Sequence, residues 1–190
     1  MAHWSVEADL SGSWMHDSIT SFNATLSHLE ERFHDPRDWF YIDALLSESE
    51  QIFGIVACIG QTYITHFMED LRSDSEMGDL VSKIKWELIS QRSSIVVETS
   101  VCVVELIYHL GNYWKHGRAW PDWEENPRNK NTIRTLAKAG ISKDTDYPCV
   151  RAFEHILPHS ASDCLSELPN VLMTWRSDTV AYLEKEGMLS

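Results

Sequence analysis

The sequence lacks the features of membrane and secreted proteins. It has no stretch of roughly 18 or more uncharged apolar residues, so we expect no membrane-spanning helix. Its first residues do not combine a basic segment with an apolar one, which argues against a secretion signal. The four cysteines, at positions 58, 102, 149 and 164, form no Cys-x-x-Cys pair, and Cys58 and Cys102 are expected to be small buried side chains. We therefore predict a cytoplasmic protein without a membrane partner.

Short catalytic motifs and positive charge are also scarce. There is no glycine-rich phosphate loop, no Gly-x-Ser-x-Gly and no His-Glu-x-x-His, which excludes the commonest signatures of nucleotide-binding loops, serine hydrolases and zinc proteases. Lys and Arg total 16 against 29 Asp and Glu, so the formal net charge is −13. This charge disfavours non-specific binding of nucleic acid, because phosphate contacts need clustered cations.

Six of the 16 Lys and Arg residues gather in one interval. This asymmetry can indicate a local site for an anion such as RNA or a nucleotide, or a basic protein partner docked on the acidic remainder of the surface. The alternative is that these side chains are ordinary solvated loop charges. The members of the interval are Lys115, Arg118, Arg128, Lys130, Arg134 and Lys138.

Apolar residues recur at three- and four-residue spacing through most of the chain, and no segment alternates as a β-strand does. We therefore predict an all-α fold: one domain over residues 1–190, built as a helical bundle of about four to five main helices. The bundle core is expected at about 17–118, followed by an irregular C-terminal elaboration of loop and short helices at 119–190. The main helices are predicted from Asp17 to Phe33, from Arg37 to Leu71, over about ten residues from Asp79, and from Ile95 to Arg118.

Two glycines and one proline fall inside predicted helices. Gly54 and Gly60 indicate either a close approach of a neighbouring helix or a break. Pro169 is expected to divide the final helical stretch, because proline cannot donate the helical hydrogen bond.

A polar line runs along the otherwise apolar helix predicted at 95–118. At about 100° per residue, its side chains fall within a sector of about 80°. In so apolar a helix each unpaired polar group costs roughly 1–3 kcal/mol unless it finds a partner or reaches a cleft. The line is therefore the clearest indication of a site in this chain. Its members are Glu98, Cys102, Glu105, His109, Asn112 and His116.

Glu105 and His109 lie one helical turn apart in the middle of this line. We expect them to form an internal hydrogen-bonded pair. The alternative is a metal site, because di-iron sites in bundles combine inward glutamates with Glu-x-x-His pairs. Here Glu and His stand four positions apart and no second pair of the required form occurs. We predict no metal and no cofactor, and a bundle metalloenzyme remains the second alternative.

The end of this helix, at residues 112–116, carries the groups best suited to phosphodiester chemistry. A neutral His116 could take a proton from a ribose 2′-hydroxyl, and a protonated His116 beside Lys115 and Arg118 would suit a phosphodiester. Asn112 could orient the scissile group. Alternatively, Asn112 and His116 only cap the helix and fix the loop that follows.

Three tryptophans, Trp114, Trp120 and Trp123, surround this segment. They could stack on bases, an interaction of about 1–3 kcal/mol per base in single-strand binders. Alternatively, they pack a loop onto the bundle or anchor an interface. The predicted catalytic residues are His116, Asn112 and Arg118, and the predicted ligand-binding residues are Lys115, Trp114, Trp120, His109 and Glu105.

A helical bundle whose late core helix ends in such a polar-x-x-x-His element resembles the HEPN superfamily (higher eukaryotes and prokaryotes nucleotide-binding). Its members carry an Arg, usually followed by Asn, Asp or His, and then a His shortly after. Asn112 matches the polar position and His116 matches the His. The Arg position is occupied by Gly111, and Arg118 is the nearby candidate to replace it. The resemblance covers roughly residues 17–118.

This resemblance implies a bacterial, metal-independent RNase or an inactive relative of one, commonly a homodimer, in a toxin–antitoxin or phage-defence setting. His116 would act as acid or base, and a basic neighbour would stabilise the charge on the phosphorane. The main alternative is a non-catalytic acidic interaction protein, such as an antitoxin or an immunity-type inhibitor. Its negative surface would complement that of a basic nuclease and speed their association.

Overall fold

The structure is a computed structural model that describes residues 9–35, 37–73, 78–91, 99–117, 123, 126–156 and 161–189. The regular structure of these residues is helical, which confirms the predicted all-α bundle. A 3₁₀ turn at Trp39–Tyr41 leads into the third helix. The eight α-helices of the described part are α1 (Leu10–Thr20), α2 (Asn23–Phe33), α3 (Ile42–Ser73), α4 (Gly78–Gln91), α5 (Val103–His116), α6 (Lys130–Lys138), α7 (Pro148–Ile156) and α8 (Ala161–Lys185).

Helix α3 is the centre of the bundle. It packs against α1, α2, α4, α5, α7 and α8, and its most extensive contact is with α5. The backbones come close because glycine has no side chain: a Cβ added at Gly60 would lie 2.7 Å from the Ile107 Cγ2, and Gly54 lies under the Trp114 ring. Both glycines therefore mark a close helix approach, and α3 continues through them without a break.

The predicted helix from Asp17 to Phe33 is two helices. α1 begins after Asp9, whose side chain accepts a hydrogen bond from the Gly12 N–H, and Asp17 lies inside α1. α1 ends where two hydroxyls bond back to its carbonyls: Thr20 Oγ1 donates to the His16 oxygen at 2.8 Å, and Ser21 Oγ donates to the Ser18 oxygen at 2.7 Å. The backbone tightens at the same place, where the Phe22 N–H donates to the Ile19 carbonyl at 3.1 Å, three residues back instead of four.

Helix α5 begins later than the sequence pattern predicts. Cys102 has an extended backbone, with φ −78° and ψ 147°, so the helix starts at Val103. Just before it, the Val101 N–H donates to Thr99 Oγ1 at 3.2 Å, which stabilises a turn in place of a helical hydrogen bond. Cys102 is therefore not part of the polar side of α5, and Glu98 lies outside the described residues.

The C-terminal helix was predicted to be divided at Pro169, and this is wrong. α8 runs unbroken from Ala161 to Lys185 with Pro169 inside it. Trp175 of this helix is 1% exposed and its indole N–H donates to the Leu88 carbonyl of α4 at 2.9 Å. The hydrophobic core thus continues through α8 and is not confined to the first 118 residues. No helix in the described ranges is both long and apolar enough to span a bilayer.

Candidate ligand-binding site

Four predicted site residues lie on α5 at steps of four, three and four residues: Glu105, His109, Asn112 and His116. This spacing keeps them on one side of the helix, but α5 has different neighbours along its length. Glu105 and His109 meet α6, Asn112 meets α3, and His116 is exposed at the helix end. The polar line is therefore divided between three environments.

His109 is almost completely buried, with an exposed fraction of 2%. Its Nδ1 lies 2.9 Å from Thr132 Oγ1 of α6, and its ring is stacked on Trp86 of α4 with centroids 5.2 Å apart and planes 9° apart. Burial and then the positive charge of Lys85 lower the pKa of His109 from 6.5 to about 4. The imidazole is therefore neutral at neutral pH and held by two neighbouring helices.

Glu105 accepts a hydrogen bond from Thr135 Oγ1 of α6 at 3.1 Å through Oε1. The predicted pair between Glu105 and His109 is therefore wrong, since each of these residues bonds to its own threonine on α6. Both threonines are buried. The Thr135 hydroxyl bonds to the Glu105 carboxylate and the Thr132 hydroxyl bonds to the His109 imidazole, one helical turn further along α5. The bonds to Thr132 and Thr135 also fix how α6 packs on α5.

A cavity of about 200 Å³ opens between α4, α5 and α6. We call it the α4–α6 cleft. It brings together one indole, one carboxylate, one neutral imidazole, one amide and two cationic side chains. The residues that define it are Trp86, Glu105, His109, Asn131, Arg134 and Lys138.

The exposed side of α6 carries the positive charge that the sequence concentrates in this region. Lys130, Arg134 and Lys138 are exposed and follow one another at four-residue steps, while Ile133 and Leu136 are buried. We call these three cations the cationic face of α6. The surrounding segment 126–143 contains five Lys and Arg residues and no Asp or Glu, in a chain with net charge −13. The surface beside the cleft is therefore locally positive on an acidic protein.

Asn112 is tied to the central helix. Its Oδ1 accepts a hydrogen bond from Gln61 Nε2 of α3, and Gln61 is 6% exposed. The neighbouring Gly111 has no room for a side chain, since a Cβ there would lie 2.8 Å from the Ala57 carbonyl oxygen. The position at which the HEPN pattern has its Arg is therefore a tight contact between α3 and α5.

The end of α5 presents Lys115 and His116 to solvent, and neither residue lines the α4–α6 cleft. Trp114 points the other way and is partly buried against the Gly54 backbone. Trp123 is partly buried as well, with its ring 5.5 Å from that of Tyr113. The predicted site residues Arg118 and Trp120 lie outside the described residues.

The structure shows what the polar line could not reveal. Trp86, Asn131, Thr132 and Thr135 come from other helices and complete the surroundings of Glu105 and His109. In the ranges that the structure describes, no three His, Cys, Asp or Glu side chains gather closely enough to hold a metal ion.

No family model, curated protein or solved structure matches this chain. The chemistry of the α4–α6 cleft and of the surface around it is therefore the basis for a functional proposal.

Proposed function

We propose that the protein binds single-stranded RNA along the cationic face of α6. The observation that carries this proposal is the row of Lys130, Arg134 and Lys138 on one exposed side of a helix that also borders a cleft with an accessible indole. Proteins that hold single strands combine a positively charged track for the backbone with aromatic side chains on which bases stack. Trp86, which is 41% exposed, supplies the aromatic group.

The spacing of the cations suits an extended strand. Residues four positions apart in a helix are separated by about 6 Å along its axis, a distance comparable with that between neighbouring phosphates of a single strand. Each phosphate could then meet one of the three cations. The remaining surface repels polyanions, because the rest of the chain carries the excess of Asp and Glu. Binding would therefore be confined to this face.

Cleavage of the bound RNA is a second candidate function, favoured by the exposed pair Lys115 and His116 at the end of α5. His116 could take the proton of a ribose 2′-hydroxyl, whose oxygen then bonds to the adjacent phosphorus. The Lys115 ammonium could stabilise the charge on the phosphorane without a metal ion, and the bond to the 5′-oxygen breaks as that oxygen takes a proton from water. This is the reaction that the HEPN resemblance implies. Glu105 bonds to Thr135 and His109 bonds to Thr132, so α6 runs antiparallel to α5. An RNA strand on the cationic face could therefore extend towards the end of α5 that carries Lys115 and His116.

The binding proposal is tested with a fluorescently labelled single-stranded RNA of mixed sequence, with EDTA present, by anisotropy. The wild type is compared with the triple variant Lys130→Gln, Arg134→Gln, Lys138→Gln. The matched control is Arg72→Gln, Lys83→Gln, Lys185→Gln, which removes the same charge from exposed positions of α3, α4 and α8. We expect the α6 variant to lose at least tenfold in affinity and the control to bind as the wild type does.

Equal binding by both variants would contradict the proposal, because the attraction would then not be local to α6. Failure of the wild type to bind RNA, together with salt-sensitive binding of a basic nuclease, would favour the acidic interaction protein instead. The same samples are run on a denaturing gel with His116→Ala alongside. Intact RNA in the wild-type lane would reject cleavage and leave the binding proposal unaffected.

A further inference from the structure

The α4–α6 cleft has the size of a site for a single base. Its volume of about 200 Å³ is below the roughly 300–1,000 Å³ of pockets that enclose a whole drug-sized ligand. A sugar and a phosphate would therefore remain outside it. Arg134 and Lys138 are exposed and line the cleft, so their positive charge could attract a phosphate there.

The aromatic wall of the cleft is held in place before any ligand arrives. Trp86 stacks on the buried His109 ring and is nearly perpendicular to the Tyr108 ring, with the Trp86 and Tyr108 centroids 5.5 Å apart and their planes 88° apart. Lys85 Nζ, 5.6 Å from the centroid of the indole ring, donates to the Tyr108 hydroxyl at 3.1 Å. Because these three contacts already restrain Trp86, its side chain would lose little conformational freedom when a base stacks on it.

The polar groups of the cleft distinguish between bases. The carboxylate of Glu105 accepts one hydrogen bond, from Thr135, which leaves lone pairs on both of its oxygens. Two adjacent N–H donors on one edge of a ligand would match such a carboxylate. Guanine has this pair in its ring N1–H and its exocyclic amino group, whereas adenine, cytosine and uracil have no such pair on one edge.

The imidazole of His109, which also lines the cleft, carries no charge that would attract the phosphate. His109 is neutral at neutral pH because burial lowers its pKa to about 4. Its Nδ1 is engaged with Thr132. The positive charge of the cleft lies on Arg134 and Lys138, which are exposed, whereas the Glu105 side chain is partly buried. This arrangement is suited to a base inside and a phosphate outside.

We propose that the α4–α6 cleft binds a guanine base, with Glu105 accepting its N1–H and amino group, Trp86 stacking on the ring, and Lys138 and Arg134 meeting the attached phosphate. This inference rests on the proposed function, since it assigns the base that bound RNA would place in the cleft. It adds a base preference that the cationic face of α6 cannot supply, because phosphate contacts carry no sequence information.

The first experiment changes the ligand and leaves the protein intact. Titration calorimetry of the wild type uses GMP, IMP, AMP and inorganic phosphate at the same ionic strength. IMP differs from GMP only by the missing exocyclic amino group, so it offers the carboxylate one donor instead of two. We expect GMP to bind about tenfold more tightly than IMP and AMP, since a bidentate contact discriminates by about that factor or more, and phosphate to bind most weakly.

The second experiment changes the carboxylate. Glu105→Gln keeps the shape of the side chain but replaces one acceptor oxygen with a donor amide, and Glu184→Gln removes the same charge from an exposed position of α8. We expect Glu105→Gln to bind GMP and AMP equally and Glu184→Gln to keep the preference for GMP. Circular dichroism checks that both variants keep their helices. If Glu105→Gln does not fold, the comparison of GMP with IMP on the wild type tests the guanine site.

The outcomes separate this inference from the proposed function. Equal binding of GMP, IMP and AMP by the wild type, or no binding of any of them, would overturn the guanine site even if RNA still depends on the cations of α6. A preference for GMP that survives in Glu105→Gln would overturn it as well. A preference for GMP lost in Glu105→Gln, in a protein that fails to bind RNA, would support the guanine site and reject the proposed function.

Discussion

Gly111 lies directly against Gln61: a Cβ added at Gly111 would come within 2.7 Å of the Gln61 Cβ. Real Cβ atoms essentially never come this close to another heavy atom, so α3 and α5 could keep their present separation only with glycine at this position. The contact leaves no room at position 111 for the arginine that the HEPN pattern has at the matching place. An arginine here would push apart the two helices that form the centre of the bundle.

Replacing Gly111 with alanine should destabilise the protein. Alanine is intrinsically favoured over glycine in a helix by up to about 1 kcal/mol, so without the contact the variant would be more stable. We expect the free energy of unfolding to fall by about 1–3 kcal/mol, because the added methyl group overpacks the interface between α3 and α5. Urea denaturation followed by circular dichroism measures the change.

The control for this prediction is Ala181→Gly at an exposed position of α8. It reports the intrinsic difference between the two residues and should cost about 1 kcal/mol. A Gly111→Ala variant at least as stable as the wild type would show that the two helices tolerate a side chain here.

Much of the fold could be predicted because apolar spacing determines which side of a helix is buried. In α3 the apolar residues Ile52, Val56, Tyr63 and Phe67 recur at helical intervals and are all buried. The break between α1 and α2 could not be predicted in this way. Apolar spacing continues across it, although α1 ends at Thr20 and the Phe22 N–H donates to the Ile19 carbonyl, only three residues back.

The site could be predicted only in part. The polar line of α5 correctly indicated that Glu105 and His109 need partners in an apolar helix. Glu105 bonds to Thr135 of α6, and His109 contacts Thr132 of α6 and Trp86 of α4. The spacing within α5 contains no information on which helices pack beside it. The available signal was in α6, where threonines at positions 132 and 135 share the buried side with isoleucine and leucine.

The carboxylate of Asp9 should be a major contributor to stability. Its side chain is 6% exposed and forms an ion pair with Arg176, and it accepts a hydrogen bond from the Tyr63 hydroxyl at 2.6 Å. Asp9→Asn would leave the buried guanidinium without its counter-charge, at a cost of about 3–5 kcal/mol. Thermal unfolding and urea denaturation at neutral pH measure the loss. The double variant Asp9→Asn, Arg176→Met should recover part of it, because no unpaired charge then remains.

Asp9 should also contribute to unfolding in acid. Burial raises its pKa, but the hydrogen bonds from Tyr63, Ser11 and Gly12 and the charge of Arg176 outweigh this and lower the pKa below the ordinary 3.8. Its stabilising contribution is therefore complete above that ordinary value and is lost as the pH falls through the lower folded-state value. Acid titration of stability should show this loss in the wild type and not in Asp9→Asn. An identical acid profile for both proteins would contradict the assignment.

His109 should make stability depend on pH in a higher range. Its pKa is lowered from 6.5 to about 4, so between these values the unfolded chain binds a proton that the folded protein does not. The free energy of unfolding should therefore fall by roughly 3 kcal/mol as the pH is lowered from 6.5 to 4. Urea denaturation at a series of pH values should show this slope in the wild type and a flatter one in His109→Gln.

The control is His66→Gln, which removes an exposed histidine of α3. This variant should keep the slope of the wild type. If His109→Gln is too unstable to measure, an NMR titration of the wild-type histidines gives the answer directly. A His109 resonance that titrates near 6.5, the ordinary pKa of a histidine, would show that the ring is not buried as described.

The salt dependence of RNA binding should identify the phosphate contacts of α6 one at a time. Each phosphate neutralised on a single strand contributes about 0.7 to the slope of log affinity against log salt concentration, because the bound cation displaces condensed counterions. Lys138→Gln, and separately Lys130→Gln, should each reduce the slope by about this amount. Lys185→Gln, an exposed cation of α8, should leave the slope unchanged. Anisotropy titrations between low and physiological salt provide the slopes. Equal reductions in all three variants would mean that RNA responds to the net charge of the protein, and unchanged slopes in all three would place the phosphates elsewhere.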